Sequence, residues 1–227
     1  MDLATLCKLF IGHRISFHSN FTFDDEVTQI TNCNAVGDLT EDVFFPRYKK
    51  IIPTFEKGPK QASPDFWSDN KEFEYEQKVY RNNPCFDIGN FNSIISQLAE
   101  KGGVHRKLFK TRYLVFKYAI ENNSIVIKNF NMLRIWNIVG YNKKYPITLQ
   151  NKRGMWYNIR PSSAKDWNDP NKTPDLFITN IIKCINESPN KIKNKDEKIK
   201  SITDQFNNLK DSFKDFNNDR RCDHISK

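Results

Sequence analysis

Asp65 follows a proline, and eleven residues later Glu76 and Lys78 stand one residue apart, in the stretch PDFWSDNKEFEYEQKVY (residues 64–80). Carboxylates are hard oxygen ligands; one or two of them, with waters and a phosphate oxygen, hold Mg²⁺. A metal so held binds a scissile phosphate and makes a bound water more acidic. A neighbouring lysine can orient or deprotonate the attacking water and offset the charge of a phosphorane-like transition state. The group has the equipment for hydrolysing a phosphodiester. The competing reading is an edge strand with a solvated acid–lysine pair, the commoner fate of an E-x-K tripeptide.

The surrounding sequence must bring these groups together. Residues 72–80, EFEYEQKVY, are aromatic and β-branched, which predicts a strand. Alternation then places Phe73, Tyr75 and Val79 on one face and Glu74, Glu76 and Lys78 on the other, with Asp65 closing on the second face from a loop or preceding strand. Upstream, helical spacing marks residues 1–13 (Leu3, Leu6, Phe10) and Gly37–Lys50, where Gly37 or Asp38 caps and Pro46 kinks or ends the regular part. IIPTFEKGPKQASPD reads as loop. Downstream, RNNPCFD is a turn, IGNFNSIISQLAEK a helix ending at Gly102 and Gly103, and RYLVFKYAIENNSIVIKNF a hairpin turning at Glu121-Asn122-Asn123. NMLRIWNIVG is a short helix, YPITL and MWYNI are short strands around the basic loop QNKRG, and Thr173-Pro174 opens a helix through DLFITNIIKCINE. The pattern predicts an α/β (α+β) fold, a central mixed sheet flanked by helices. Residues 1–189 form the main domain. Residues 190–227 form a charged tail whose Ile199, Ile202, Phe206, Leu209, Phe213 and Phe216 recur at three and four, an amphipathic helix that packs on the body or pairs with another chain.

Composition narrows the partner. The 227 residues carry 36 basic and 27 acidic side chains, a net charge of +9, and a pI near 9.2. A polyanion, nucleic acid above all, is the expected partner. The five cysteines are scattered without a CxxC pair, which points away from a zinc site or a disulfide framework and fits a reducing cytoplasm. The N-terminus lacks the features of a signal peptide, and no stretch approaches a membrane span, so no membrane partner is expected. His13, His18, His105 and His224 have no ligand spacing, and no glycine-rich phosphate loop suggests a nucleotide cofactor. Trp136, Trp156 and Trp167 read as packing residues.

Pro64-Asp65 followed by Glu76-x-Lys78 resembles the PD-(D/E)-x-K nuclease motif. With the polar turn between its halves, it is similar to type II restriction endonucleases of the EcoRV and HincII kind. NPCFDIGNFNSIISQL, VGDLTEDVF and the lysine-rich tail resemble segments of the SwaI enzyme. The resemblance implies a Mg²⁺-dependent endonuclease with Asp65 and Glu76 as metal ligands, Lys78 as the catalytic lysine, and Glu41 as a further acid from an N-terminal helix, with Asp38 and Asp42 as alternatives. Glu74 would support from the same face. Gln77 stands where many relatives have an apolar residue, which bears on how deeply that side is buried. The family also implies a cognate DNA methyltransferase, and the SwaI-like segments an AT-rich target and blunt ends.

Base edges are read by Arg and Lys at guanine and by Asn and Gln at adenine. Candidates in loops and strands are Lys60 and Gln61 before Asp65; Arg81, Asn82 and Asn83 after the motif strand; Gln150, Asn151, Lys152 and Arg153 in the late hairpin; and Asn158 and Arg160 beyond it. Lys49, Lys50, Lys107, Lys110 and Arg112 are candidates for phosphate contacts, which position without specifying. The reading is a type II restriction endonuclease acting on double-stranded DNA at a short palindrome, hence a twofold homodimer. Its rivals are a shape-selective repair or junction nuclease of the same superfamily and a non-enzymatic basic DNA-binding protein.

Overall fold

The computed structural model describes residues 8–16, 33–59, 62–122, 124–141 and 146–210. In chain order the elements are β1 (Arg14–Ser16), α1 (Cys33–Ile51), β2 (Glu56–Lys57), β3 (Phe66–Ser68), β4 (Phe73–Tyr80), β5 (Gly89–Asn90), α2 (Phe91–Ala99), α3 (Gly103–His105), β6 (Thr111–Glu121), β7 (Ser124–Leu133), α4 (Ile135–Ile138), β8 (Leu149–Lys152), β9 (Met155–Ile159), α5 (Pro174–Glu187) and α6 (Lys195–Leu209). The expected mixed α/β class is the one found. Contacts divide the described chain into two units, residues 8–82 with 113–132, and residues 83–112 with 133–210. Among the described residues no helix is long and apolar enough to cross a membrane.

The first unit holds a six-stranded sheet in the order β1-β7-β6-β4-β3-β2. β1 pairs with β7, β2 with β3, and β3 with β4, all antiparallel. β4 therefore lies inside the sheet, not at its edge. Beside it, β6 buries Tyr113, Leu114, Val115 and Phe116 in succession, the continuous apolar run of a strand covered on both faces. Val36, Thr40, Phe44 and Tyr48 recur every fourth residue of α1 and all are buried, so one stripe of the helix faces the core. Phe44 meets Phe10 at 4.7 Å and Phe116 at 4.8 Å between ring centres, and Tyr48 meets Phe55 at 4.9 Å. Each such buried ring contributes roughly 1.5–3 kcal/mol.

Several boundaries differ from the sequence-based ones. α1 begins at Cys33, so neither Gly37 nor Asp38 caps it, and it continues five residues past Pro46 to Ile51. Pro46 is exposed, so the hydrogen bond its ring removes is lost on the outer side of the helix, while buried Phe44 and Tyr48 hold it to the core. The proline-rich loop contains β2, a strand that exists only through its pairing with β3. Of the first predicted helix, residues 8–10 are helical and 1–7 lie outside the described residues.

The second unit carries a three-stranded antiparallel sheet in the order β5-β9-β8. α2 is shorter than expected: Asn90 caps it, its side chain accepting from Ser93 N–H at 3.1 Å, and it ends at Ala99. Thr173 caps α5 as its sequence implies, accepting from Leu176 N–H at 3.1 Å. The amphipathic helix α6 packs on the body through Ile202 and Phe206. Gln205 donates to the Leu98 carbonyl at 3.2 Å and Ser201 to that of Ala99 at 2.8 Å, satisfying carbonyls that α2 leaves open at its C-terminus. Phe213 and Phe216 lie outside the described residues.

Candidate active site

The register of the β3–β4 pair positions the motif. Phe66 faces Tyr75, so one step further along an antiparallel ladder Asp65 comes level with Glu76. The connecting turn has Asp69, Asn70 and Lys71 all at positive φ, with Glu72 N–H closing on the Asp69 carbonyl at 3.1 Å. On its other side Asp65 is held by Gly58, whose N–H donates to the Asp65 carbonyl at 2.7 Å. The approach is so close that a Cβ on Gly58 would fall 1.7 Å from the Pro64 oxygen. Only glycine lets this backbone pass.

The side chains converge. Gln77 N–H donates to Asp65 Oδ2 at 2.6 Å. Lys78 Nζ lies 3.4 Å from Glu76 Oε2 and 3.9 Å from Asp65 Oδ2. Glu76 is buried, and its Oε1 accepts from Ser63 Oγ. Glu41, on α1, is in electrostatic reach of Asp65, Lys78 and Glu76. Asp42 is instead paired with Lys57, and Asp38 is exposed. Gln77 is 4% exposed, so the side of the strand that carries it is as deeply buried as an apolar residue would demand. Its amide is satisfied, accepting from Tyr48 O–H at 2.8 Å and donating to Thr40 Oγ1 at 3.1 Å.

The electrostatics follow from crowding. Burial, with repulsion from Asp65, lifts the Glu41 carboxyl from 4.5 to about 7, Lys78 pulling the other way and Asp38 and Glu76 adding to the rise. Burial lifts Asp65 from 3.8 to about 6; Lys78 opposes this, Glu76 adds to it, and the Gln77 N–H opposes it. Burial alone would lower the Lys78 amine, but Glu76, Asp65 and Glu41 outweigh it and raise its pKa, so it stays an ammonium. Tyr113, fully buried on β6, is raised by burial and by Glu76, Asp65 and Glu74, and its hydroxyl has no hydrogen-bond partner among the described residues. Among the described residues no group of three or more His, Cys, Asp or Glu side chains is placed to hold a metal ion by itself.

The other sequence candidates are scattered in environment. Lys60 and Gln61 lie outside the described residues. Arg81, Asn82 and Asn83 are exposed directly beyond β4. In the second unit, Gln150, Asn151 and Lys152 are strand residues of β8, and the loop proper is Arg153-Gly154 with φ of 53° and 80°, the left-handed pair of a tight hairpin turn. Asn151, Lys152 and Arg153 are exposed, Asn151 Oδ1 accepts from Gly154 N–H at 3.0 Å, and Lys152 Nζ sits 4.6 Å over the Tyr157 ring. Asn158 is buried and donates to Gln150 Oε1 at 3.2 Å. Arg160 pairs with Asp87 at 3.0 Å and donates to the Cys85 carbonyl. Lys49 and Lys50 are exposed at the end of α1, but Lys107 is 1% exposed and cannot reach a phosphate; it falls in the wide turn Arg106–Lys110, which turns its stem inward. Trp156 and Trp167 are packed inside, as expected.

Ser63, Gly58 and Gln77 position the site, and none was singled out for that by its type. Only Gln77 left a signal, a polar residue between two site residues where an apolar one is usual.

Residues 18–226 match the family described as NgoBV restriction endonuclease. The type II restriction enzyme NlaIV of Neisseria lactamica is 26% identical over 134 residues, covering 56% of this chain. That match spans 54% of the relative, about half its length. The solved structure of the NlaIV restriction endonuclease superposes with a TM-score of 0.72 at 18% identity, over 93% of this chain and 90% of that one, a likeness of fold. With the family match running through nearly all of its length, the chain belongs to the NgoBV restriction endonuclease family.

Proposed function

We propose that this chain is a site-specific type II restriction endonuclease that uses Mg²⁺ to hydrolyse phosphodiester bonds of double-stranded DNA at a short palindrome, within a cytoplasmic restriction-modification system. The observation that carries the reading is the Asp65–Glu76–Lys78 cluster on an interior strand of a chain in a restriction endonuclease family.

The donor set fits Mg²⁺. Asp65 and Glu76 offer hard carboxylate oxygens, and Mg²⁺ needs only one or two of these when waters and substrate phosphate complete its shell. When all are ionised, Asp65, Glu76 and Glu41 against Lys78 leave a charge of −2, which a divalent cation balances. Mg²⁺, when bound, supplies positive charge at the scissile phosphate and acidifies a water there. Lys78, kept protonated by its neighbours in the metal-free protein, donates hydrogen bonds and offsets charge developing on the phosphate. Ser63 and the Gln77 N–H fix the orientation of the two carboxylates.

For holding DNA, Arg81, Asn82, Asn83, Asn151, Lys152 and Arg153 present exposed guanidinium, ammonium and amide groups, the types that read base edges. Lys60 and Gln61 belong to the same proposal, as do Gln150 and Asn158, bonded to each other, and Arg160, paired with Asp87, and Lys49 and Lys50 suit phosphates. A palindrome calls for a homodimer with one site per strand, and a partner methyltransferase would protect the cell's own DNA.

The test is a digest of phage DNA with purified protein in Mg²⁺ and in EDTA, beside Lys78→Ala. Sharp bands needing both Mg²⁺ and Lys78 are expected, and sequencing their ends gives the site, including whether it is AT-rich, and the stagger. A Mg²⁺-dependent smear would indicate a nuclease that reads shape, and intact DNA on differently methylated substrates would overturn the nuclease reading.

A further inference from the structure

Gln77 occupies a singular place. It sits between Glu76 and Lys78, and its side chain points the other way, toward α1. There, Thr40, Phe44 and Tyr48 form one buried stripe. The Gln77 amide bridges the two polar members of that stripe: Tyr48 O–H donates to its Oε1 at 2.8 Å, and its Nε2 donates to Thr40 Oγ1 at 3.1 Å. Thr40 in turn donates to the Gly37 carbonyl at 2.8 Å. The backbone N–H of the same residue holds Asp65 Oδ2 at 2.6 Å. Glu41 is the next residue after Thr40.

Apolar contacts alone leave a helix some freedom to slide and roll on a sheet, because they are not directional. Two hydrogen bonds from one planar amide to residues two turns apart remove that freedom. A slip of one residue, ~1.5 Å along the axis, would break both and leave buried polar groups unpaired. We infer that Gln77 is a positioning residue for cleavage: its amide sets the register of α1 against β4, and thereby places the Glu41 carboxylate at the Asp65–Glu76–Lys78 cluster. This rests on the proposed catalytic reading of Glu41. Gln77 touches no substrate; it acts through Glu41, while its backbone steadies Asp65 whatever the side chain.

The experiment is a double-mutant cycle on the full chain: Gln77→Met, Glu41→Gln and the pair, each scored for single-turnover cleavage at saturating Mg²⁺ and for the Mg²⁺ concentration giving half the rate. Gln77→Met is expected to lower the rate or raise the Mg²⁺ requirement by about 10- to 100-fold, the usual scale for residues that orient ligands. The pair should be no worse than Glu41→Gln alone, since with Glu41 neutralised there is nothing left to position. Tyr48→Phe, which removes one of the two bonds with little change of shape, should act in the same direction more weakly and covers the case of a poorly folded Gln77→Met. If Glu41→Gln is impaired while folded Gln77→Met cleaves as wild type, or if the two losses multiply in the pair, the positioning role is wrong and the reading of Glu41 survives. Wild-type cleavage by Glu41→Gln would overturn both.

Discussion

Neutralising Glu41 should make the metal-free protein more stable while it removes function. Burial and nearby acids lift this carboxyl from 4.5 to about 7. An acid whose pKa is raised by folding binds its proton more tightly folded than unfolded. Stability is therefore lost as pH climbs through the window from 4.5 to about 7, and the loss is complete above it. At ~1.36 kcal/mol per pH unit that shift corresponds to ~3.4 kcal/mol. Glu41 is partly exposed, and solvent screening brings a reasonable figure to about 2 kcal/mol. Asp65, raised from 3.8 to about 6 in part by its neighbours, shifts stability in the same sense. Glu41→Gln keeps shape and helix propensity and should raise Tm at pH 8 in EDTA by about 4–8 °C for a chain of this size. The assay is a thermal melt of both proteins in EDTA at pH 5 and pH 8. The quantity to follow is the difference between them, because acids paired with lysines elsewhere titrate in the opposite sense. A difference that does not grow from pH 5 to pH 8 would refute the crowding argument. Mg²⁺ should then narrow the gap by stabilising the wild type more than the variant.

Asp65→Ala and Glu76→Ala should each lower single-turnover cleavage by more than about 100-fold, as loss of groups acting at the reacting phosphate does, with far-UV circular dichroism unchanged; a folded variant with full activity would remove that residue from the site. Gly58→Ala should cost about 3 kcal/mol in urea unfolding, the upper end for overpacking, or give insoluble protein, since the added carbon meets the Pro64 oxygen at 1.7 Å; an unfolding midpoint near wild type would mean the chain at Asp65 can move aside. Arg153→Gly separates shape from chemistry: glycine suits the φ of 53° and should leave stability equal or up to ~1 kcal/mol better, while losing the guanidinium should weaken or relax site choice. An unchanged cutting pattern at unchanged rate would take the hairpin tip off the list of reading residues.

What was legible in the sequence was what local pattern determines. The aromatic run of β4, the hairpin of β6 and β7 and the Thr173-Pro174 cap all stand where their residues put them. What was not legible depends on partners far away in the chain. β2 is a strand only because Lys57 meets Phe66. α1 runs through Pro46 because the ring stripe on either side outweighs one lost hydrogen bond. Lys107 looked like a phosphate ligand by type and is buried by a wide turn that its sequence does not announce. At the candidate site, spacing alone suggested the motif residues that the fold brings together, but Gln77 showed only as an anomaly. A polar residue in an apolar slot becomes meaningful once Thr40 and Tyr48 are known to face it.

An acid, a residue and a lysine on a strand ordinarily make a solvated pair, and the protein contains such a pair to compare. Glu121, at the end of β6, lies beside Lys128 of β7 and Arg14 of β1 in the same sheet. There the Lys128 hydrogen bond and the two positive charges hold the carboxyl below its usual value, as expected where a carboxylate is matched by cations in water. Asp65 also has a lysine at hand, yet its carboxyl goes up. The residue types are alike; the difference is that Glu121, Lys128 and Arg14 are open to water, whereas Glu76 is buried and three acids share one ammonium. Burial partly desolvates these charges, and among the described residues one ammonium stands against three carboxylates. Such crowding costs the fold stability, and that cost supports reading this cluster as the proposed site, while the Glu121 pair reads as surface.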